Sequence, residues 1–263
     1  MIVVYSYIGP LPEYTIDTIL QTRLFYKGPI YFILNDHSSP FVPMLYDHEV
    51  IIVPYETVID TTFNECIQQY YHKFTILNGL KGREKLFIYA FERFFVLHQL
   101  MKQQHLTNVF FMELDNLIYD DPHKWEPACW TADMSFMFDN YDRCASGICF
   151  IQTQEVLSEF CECCLQYIIQ TDIRYQFMTE MQALDAFWKT HPEKVHLLPT
   201  HWPSDQVPPG TCQNYDRYGS LFDSAGLGIY FGGIDPIHTG GLIMTGVRSI
   251  WSAIDYTAYQ MEW

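Results

Sequence analysis

The sequence predicts an α/β fold built on a mostly parallel sheet flanked by helices. Three observations carry that expectation. Short apolar runs alternate with helix-period segments through the first 55 residues, the pattern of parallel strands joined by crossover helices. The chain has 263 residues, 49% of them apolar and 17% charged, which is enough for one sizeable core and too apolar for disorder. A later apolar run ends on two carboxylates, Glu113 and Asp115. Open α/β sheets bind their ligands there, beyond the carboxyl ends of strands.

Taken in order, Ile2 to Tyr7 reads as a buried strand, and Pro12 to Tyr26 as a helix with apolar spacing at Ile16, Ile19, Leu20 and Leu24. Pro29 to Leu34 is a second strand, stopped by Asn35-Asp36-His37, and Val50 to Val53 a third. Residues 56–82 carry no decisive pattern. Arg83 to Gln104 is the clearest helix, with Leu86, Phe87, Ala90, Phe91, Phe94, Leu97 and Met101 recurring at three and four. Asn108 to Leu114 is a buried strand that ends on acids. Met134 to Phe138, Ile148 to Ile151 and Val195 to Leu198 read as further strands, and Glu155 to Gln170 and Glu180 to Lys189 as helices. After Pro199, prolines and glycines replace aliphatic runs, which predicts a loop-rich C-terminal region folded over the core. No repeat or low-complexity tract occurs.

Composition excludes several classes. A net charge of −16 repels DNA, RNA and anionic lipid, so neither a nucleic acid nor a membrane surface is expected as partner. The same field repels a nucleoside diphosphate, so an enzyme using one needs a metal or a local arginine to reverse the sign. The eight cysteines form no paired framework. Cys161 and Cys164 make one CxxC in mid-helix without a second pair, so buried reduced thiols are expected. Met1 leads into a strand without a basic leader, no 18-residue apolar run exists, and no Asn-X-Ser/Thr sequon occurs. These point to a cytoplasmic protein without a transmembrane segment. The 17% aromatic content fits either a Phe- and Tyr-rich core or a cleft lined by rings on which sugars or a base stack.

The chemistry centres on Val109 to Asn116. Two acids spaced i and i+2 at a strand end are hard oxygen ligands for Mn²⁺ or Mg²⁺, which would bridge a pyrophosphate and offset charge on a leaving diphosphate. The alternative is a pair of solvated acids. Arg93 shares the edge of the apolar stripe with Leu86 and Leu97. There it wants an anion, either a donor phosphate or Asp115, unless it snorkels to solvent.

The strand Val109-Phe110-Phe111-Met112-Glu113-Leu114-Asp115 resembles the DxD strand of GT-A glycosyltransferases, with Glu in place of the first Asp. Other segments resemble the same family in the same order. Val3 to Tyr7, with Tyr5 and Ser6, is similar to the first strand and loop that receive base and ribose. Ile33 to Asp36 is similar to the second strand, whose Asp36 would lie near the base. Ala145 to Phe150 is similar to the turn of Ser146 and Gly147 under the donor sugar. Glu180 to Leu184 is similar to the acid-Gln helix start of glycogenin-like enzymes, where Glu180 and Gln182 would approach sugar hydroxyls, although Met181 stands where the family often has Asp.

The resemblance covers residues 1–200 and thins beyond them. It implies a Rossmann-like sheet and a metal site of Glu113 and Asp115, with Asp115 the direct ligand. His238, among Gly232, Gly233, Gly240 and Gly241, resembles the late histidine that completes such a site, with His201 as its rival. The implied reaction moves a sugar from a UDP- or GDP-sugar to a hydroxyl of a glycan, protein or small molecule, with Mn²⁺ or Mg²⁺. An inverting enzyme would need a carboxylate base, with Glu180, Asp185 and Asp223 as candidates; a retaining one would not. The domain reading is one catalytic unit over 1–263, with 1–200 as nucleotide-sugar core and 201–263 as acceptor or lid region. Two alternatives stay open. A sugar-phosphate nucleotidyltransferase wants a Gly-rich basic loop after the first strand, where Ser6-Tyr7-Ile8-Gly9-Pro10 offers one glycine and no base. A non-catalytic nucleotide-sugar-binding module is the other. A dinucleotide dehydrogenase is disfavoured by the lack of GxGxxG after the first strand.

Overall fold

Each apolar run of the first half becomes a strand because helices cover both faces of the sheet it joins. In the structure, a computed structural model that describes residues 1–76, 84–173, 178–205 and 208–222, the order is β1 (Ile2–Tyr7), α1 (Thr15–Phe25), β2 (Ile30–Leu34), α2 (Val42–Asp47), β3 (Val50–Pro54), α3 (Thr61–Ile76), α4 (Glu84–Gln104) and β4 (Val109–Met112). There follow α5 (Glu126–Cys129), β5 (Met134–Asn140), β6 (Arg143–Ile151), α6 (Gln154–Gln170), α7 (Glu180–Thr190), β7 (Val195–Leu198) and α8 (Tyr215–Tyr218).

The seven strands form one sheet in the order β3-β2-β1-β4-β6-β5-β7. All neighbours are parallel except β6, which runs antiparallel to β4 and β5. This is a Rossmann-like α/β architecture, mostly parallel and flanked by helices. Alternation along the strands divides the core into two layers. Val4, Ile33, Val109 and Phe111 pack with α3, α4, α6 and α7; Val3, Tyr5, Phe32, Phe110 and Met112 pack with α1, α2 and α5. In the second layer Phe110 stacks on Phe150 at 4.4 Å.

Four expectations change. The segment 56–82 contains α3, whose Lys73 Nζ donates to the carbonyls of Ile168, Ile169 and Thr171 at 2.8, 2.8 and 3.0 Å and so ties down the end of α6. Helix α1 keeps only half of its apolar reading: Ile16 and Ile19 are buried, but Leu20 and Leu24 are 42% and 69% exposed, while Thr15, Thr18 and Thr22 are buried. Hydrogen bonds decide this, since Thr22 Oγ1 meets the Tyr5 hydroxyl at 2.6 Å and Thr18 Oγ1 donates to the Leu114 carbonyl at 2.6 Å. Ser146 and Gly147, expected in a turn, lie inside β6. Part of the segment beyond Pro199 belongs to the core: Tyr218 and Phe222 are buried, and Phe222 packs 5.1 Å from Trp125.

All eight cysteines are free, and six are buried. Among the described residues, no helix is long and apolar enough to cross a membrane.

Candidate functional site

Strand parity delivers the acids. Val109 and Phe111 face α4, whereas Phe110 and Met112 face the opposite layer. Glu113 keeps the parity of Phe111 and turns toward α4; Leu114 returns to the other layer and is buried. The chain then folds back, with the Asn116 N–H donating to the Glu113 carbonyl at 3.1 Å. Asp115 is left exposed at the tip of this turn. The turn is stitched to β6. Glu113 N–H donates to the Gly147 carbonyl at 2.8 Å, and Asn116 Nδ2 donates to the same carbonyl at 3.2 Å and to Asp115 Oδ1 at 3.3 Å. Glycine at 147 sits close to the turn: a Cβ there would lie 3.2 Å from Asn116 Nδ2, which would have to shift slightly, and 3.5 Å from Glu113 Oε2, an ordinary contact.

Behind the turn lies a buried ionic network. Arg93, on α4, pairs through Nη1 with Glu113 and through Nη2 with Ser146 Oγ at 2.8 Å and Glu180 Oε1 at 3.2 Å. Arg93, Ser146 and Glu180 are all buried. Burial pulls the guanidinium down from its ordinary value, opposed first by Glu180 and also by Cys149 and Asp115; arginine stays charged because it starts so high. Its Nε and the hydroxyl of Thr179, the residue before α7, are buried without a hydrogen-bond partner. Arg93 is paired with Glu113 and Glu180, and Asp115 is felt electrostatically. Ser146 Oγ accepts a hydrogen bond from Arg93.

Other expected site residues scatter. The Tyr5 side chain is fully buried with its hydroxyl on Thr22, because its parity points it at α1; a side-chain contact with a ligand is withdrawn. Burial pushes its phenol well above the ordinary value. Ser6 has the parity of Val4, on the α4 side, and is half-buried. Asp36 is used locally, accepting from Leu11 N–H at 3.3 Å and Ser38 Oγ at 3.0 Å. With Asn35 Oδ1, which accepts from Gly9 N–H at 2.8 Å, it ties down the loop after β1. Gly9 has φ +130°, a conformation that favours glycine. Gln182 Oε1 accepts from the Tyr167 hydroxyl at 3.2 Å. Asp185 pairs with Lys189 at 2.7 Å beneath the β5–β6 hairpin, its other oxygen buried without a partner. Asp223 and His238 lie outside the described residues. His201 Nδ1 is 2.5 Å from the Trp202 carbonyl.

Tyr14 escapes sequence reasoning altogether. It precedes α1 and lies near Asp115 and Tyr7; burial first, then those two groups, push its phenol up to about 12. No periodic signal marks it. Asn116, the clamp between Asp115 and Gly147, was visible only as the residue after the acids.

For a divalent cation, Asp115 offers open oxygen, whereas one Glu113 oxygen is committed to Arg93. Among the described residues no three His, Cys, Asp or Glu side chains converge as a metal-binding group. The residues of the turn that could offer hard oxygen to a cation are Asp115 and the remaining Glu113 oxygen, and further ligands would be required.

Fold and site together define a Rossmann-like α/β protein with an acidic turn at the carboxyl end of a central strand, backed by a buried arginine. No family model and no curated protein matches the chain. Among solved structures, a chain titled "PaToxG Glycosyltransferase" is similar, with a TM-score of 0.46 and 10% identity over 73% of this chain and 68% of that one.

Proposed function

We propose that this chain is a GT-A-type glycosyltransferase that moves a sugar from a UDP- or GDP-sugar to an acceptor hydroxyl, using Mn²⁺ or Mg²⁺. The observation that carries the reading is Asp115, an exposed carboxylate at the carboxyl end of β4, beside β1 and near a buried arginine paired with Glu113 and Glu180. Asp115 and the free oxygen of Glu113 would hold the cation, whose charge would stabilise the departing diphosphate.

The chain's own residues prepare the place. Arg93 cancels the charge of Glu113 or Glu180 where an anion must enter an acidic protein. Gly147 leaves room beside Asn116 and Glu113. Tyr14 lies near both Asp115 and Tyr7. Glu180 and Asp185, both ion-paired, and Asp223 remain the candidates for an acceptor base, and His238 for a further metal ligand.

The test is hydrolysis of a panel of nucleotide sugars with Mn²⁺, comparing the wild-type chain with Asp115→Asn. Metal-dependent hydrolysis of one donor, lost in the variant, is expected. Hydrolysis of no donor by the wild type, or equal rates in both proteins, removes the reading. The Arg93–Glu113 pair, which leaves one open acid in the turn, favours a second reading: a nucleotide-sugar-binding module. It expects binding by calorimetry without turnover.

A further inference from the structure

A leucine facing water is ordinary when it stands alone. Helix α1 carries two on one face. Leu20 and Leu24 lie one turn apart, and Asp17 lies one turn before Leu20 on the same side. All three are exposed. The helix cannot turn this face inward, because Thr15, Thr18, Thr22, Ile16 and Ile19 already fill its core side.

Neighbouring segments extend the apolar face. On one side of α1, Gln21 Nε2 donates to the Ile118 carbonyl at 2.8 Å. Ile118 is buried, and Leu117 and Tyr119 on either side of it are 42% and 74% exposed. On the other side, Arg23 Nε and Nη2 donate to the His48 and Glu49 carbonyls, both at 3.0 Å, and so tie α1 to the end of α2. There Met44 and Tyr46 are 42% and 61% exposed. Large apolar side chains from three adjoining segments thus stand in water on one side of the sheet. Together they expose roughly 600 Å². That is the upper end of what a monomer leaves uncovered, and it approaches the about 800 Å² that each partner gives to a standard interface.

Charge narrows the occupant. With a net charge of −16, two copies repel each other and can meet only where acids are few or matched. Asp17 precedes the two leucines, and Lys27, also exposed, follows them. When two α1 helices lie antiparallel about the midpoint of Leu20 and Leu24, Leu20 meets the partner's Leu24, and Asp17 meets the partner's Lys27. The face is then complementary to itself in apolar surface and in sign, as a two-fold interface requires.

We propose that this face joins two copies of the chain into a symmetric dimer through antiparallel α1 helices. The dimer does not depend on the glycosyl-transfer reading, and either can fail without the other.

The experiment is sedimentation equilibrium over about 1 to 100 µM chain. It compares wild type, Leu24→Lys, Asp17→Lys, and Asp17→Lys combined with Lys27→Asp. Urea unfolding at the dilute end, where dissociation favours the monomer, checks that each variant folds. Wild type should be dimeric at the upper end of the range. Leu24→Lys puts two charges into the centre of the interface and should stay monomeric throughout. Asp17→Lys sets lysine against lysine and should raise the dimer dissociation constant by about tenfold or more. Adding Lys27→Asp restores opposite charges in reversed order, and should bring the constant back to within about threefold of wild type. A wild-type chain that is monomeric at every concentration overturns the proposal, whether the face is bare or taken by another protein. A dimer that survives Leu24→Lys overturns it too. A double variant no tighter than Asp17→Lys overturns the antiparallel pairing of α1.

Discussion

Glu113 and Asp115 are two residues apart and chemically alike, yet their surroundings differ. Glu113 is tied to Arg93, whereas Asp115 is exposed and accepts a hydrogen bond from Asn116. Replacing Asp115 by Asn should therefore leave stability within about 0.5 kcal/mol of wild type, while metal-dependent donor hydrolysis falls by ~100-fold or more. Urea unfolding and initial rates check the two halves, and a destabilised variant would mean that the turn needs the acid. Arg93 is the opposite case. Arg93→Met strands Glu180 and Glu113 without their cation, which should cost about 3–5 kcal/mol. Adding Glu180→Gln should recover part of that loss in the unfolding midpoint; a double variant as unstable as the sum of the singles would place the cost elsewhere.

Helix α1 shows where local pattern and tertiary demand part. Its sequence offers an apolar stripe through Leu20 and Leu24, but the helix turns Thr15, Thr18 and Thr22 inward because Tyr5 and the Leu114 carbonyl need partners. Thr18→Val should cost about 1–3 kcal/mol by orphaning a buried carbonyl. Since that carbonyl belongs to the turn bearing Asp115, donor hydrolysis should fall as well. Leu24→Lys, on the exposed side, should change stability by less than about 0.5 kcal/mol. Urea titrations of both variants decide the orientation: a large loss for Leu24→Lys would put that face inside. The strands were far more legible than α1. Buried strands need only a continuous apolar run, whereas α1 buries threonines through hydrogen bonds that hydrophobicity does not encode.

At the scale of the molecule, charge sets two expectations. Glu92, Asp139 and Asp185 are all raised above their ordinary values, first by burial. For such groups the folded chain keeps protons that the unfolded chain has released. Their contribution to stability is full below the ordinary values, 4.5 for Glu and 3.8 for Asp, and is lost as pH rises through the folded values. Glu92→Gln removes one such group, so its unfolding free energy relative to wild type should rise between about pH 4 and pH 7. A relative stability that falls over that interval would contradict burial as the dominant cause. The net charge of −16 also sets the salt response. With a chelator present, added KCl should tighten nucleoside diphosphate binding by screening the repulsion, the reverse of a basic site. Calorimetry across a salt series reads the sign, and weakening with salt would point to a local positive field stronger than the global one.

Alternating apolar runs, read from the chain alone, set the parallel sheet, the strand that carries the acids and the long helix α4, because periodicity records locally which side of an element is buried. The partners of Arg93 were decided only by the tertiary structure. Ser146 and Glu180 stand 53 and 87 residues away in the chain. What brings them together is the placement of antiparallel β6 beside β4 and of α7 over β6, a long-range arrangement that leaves no local trace in the residues it joins. The same holds for Tyr5 and Ser6, whose parity is plain in the sequence but whose roles depend on which helix layer each side of β1 meets.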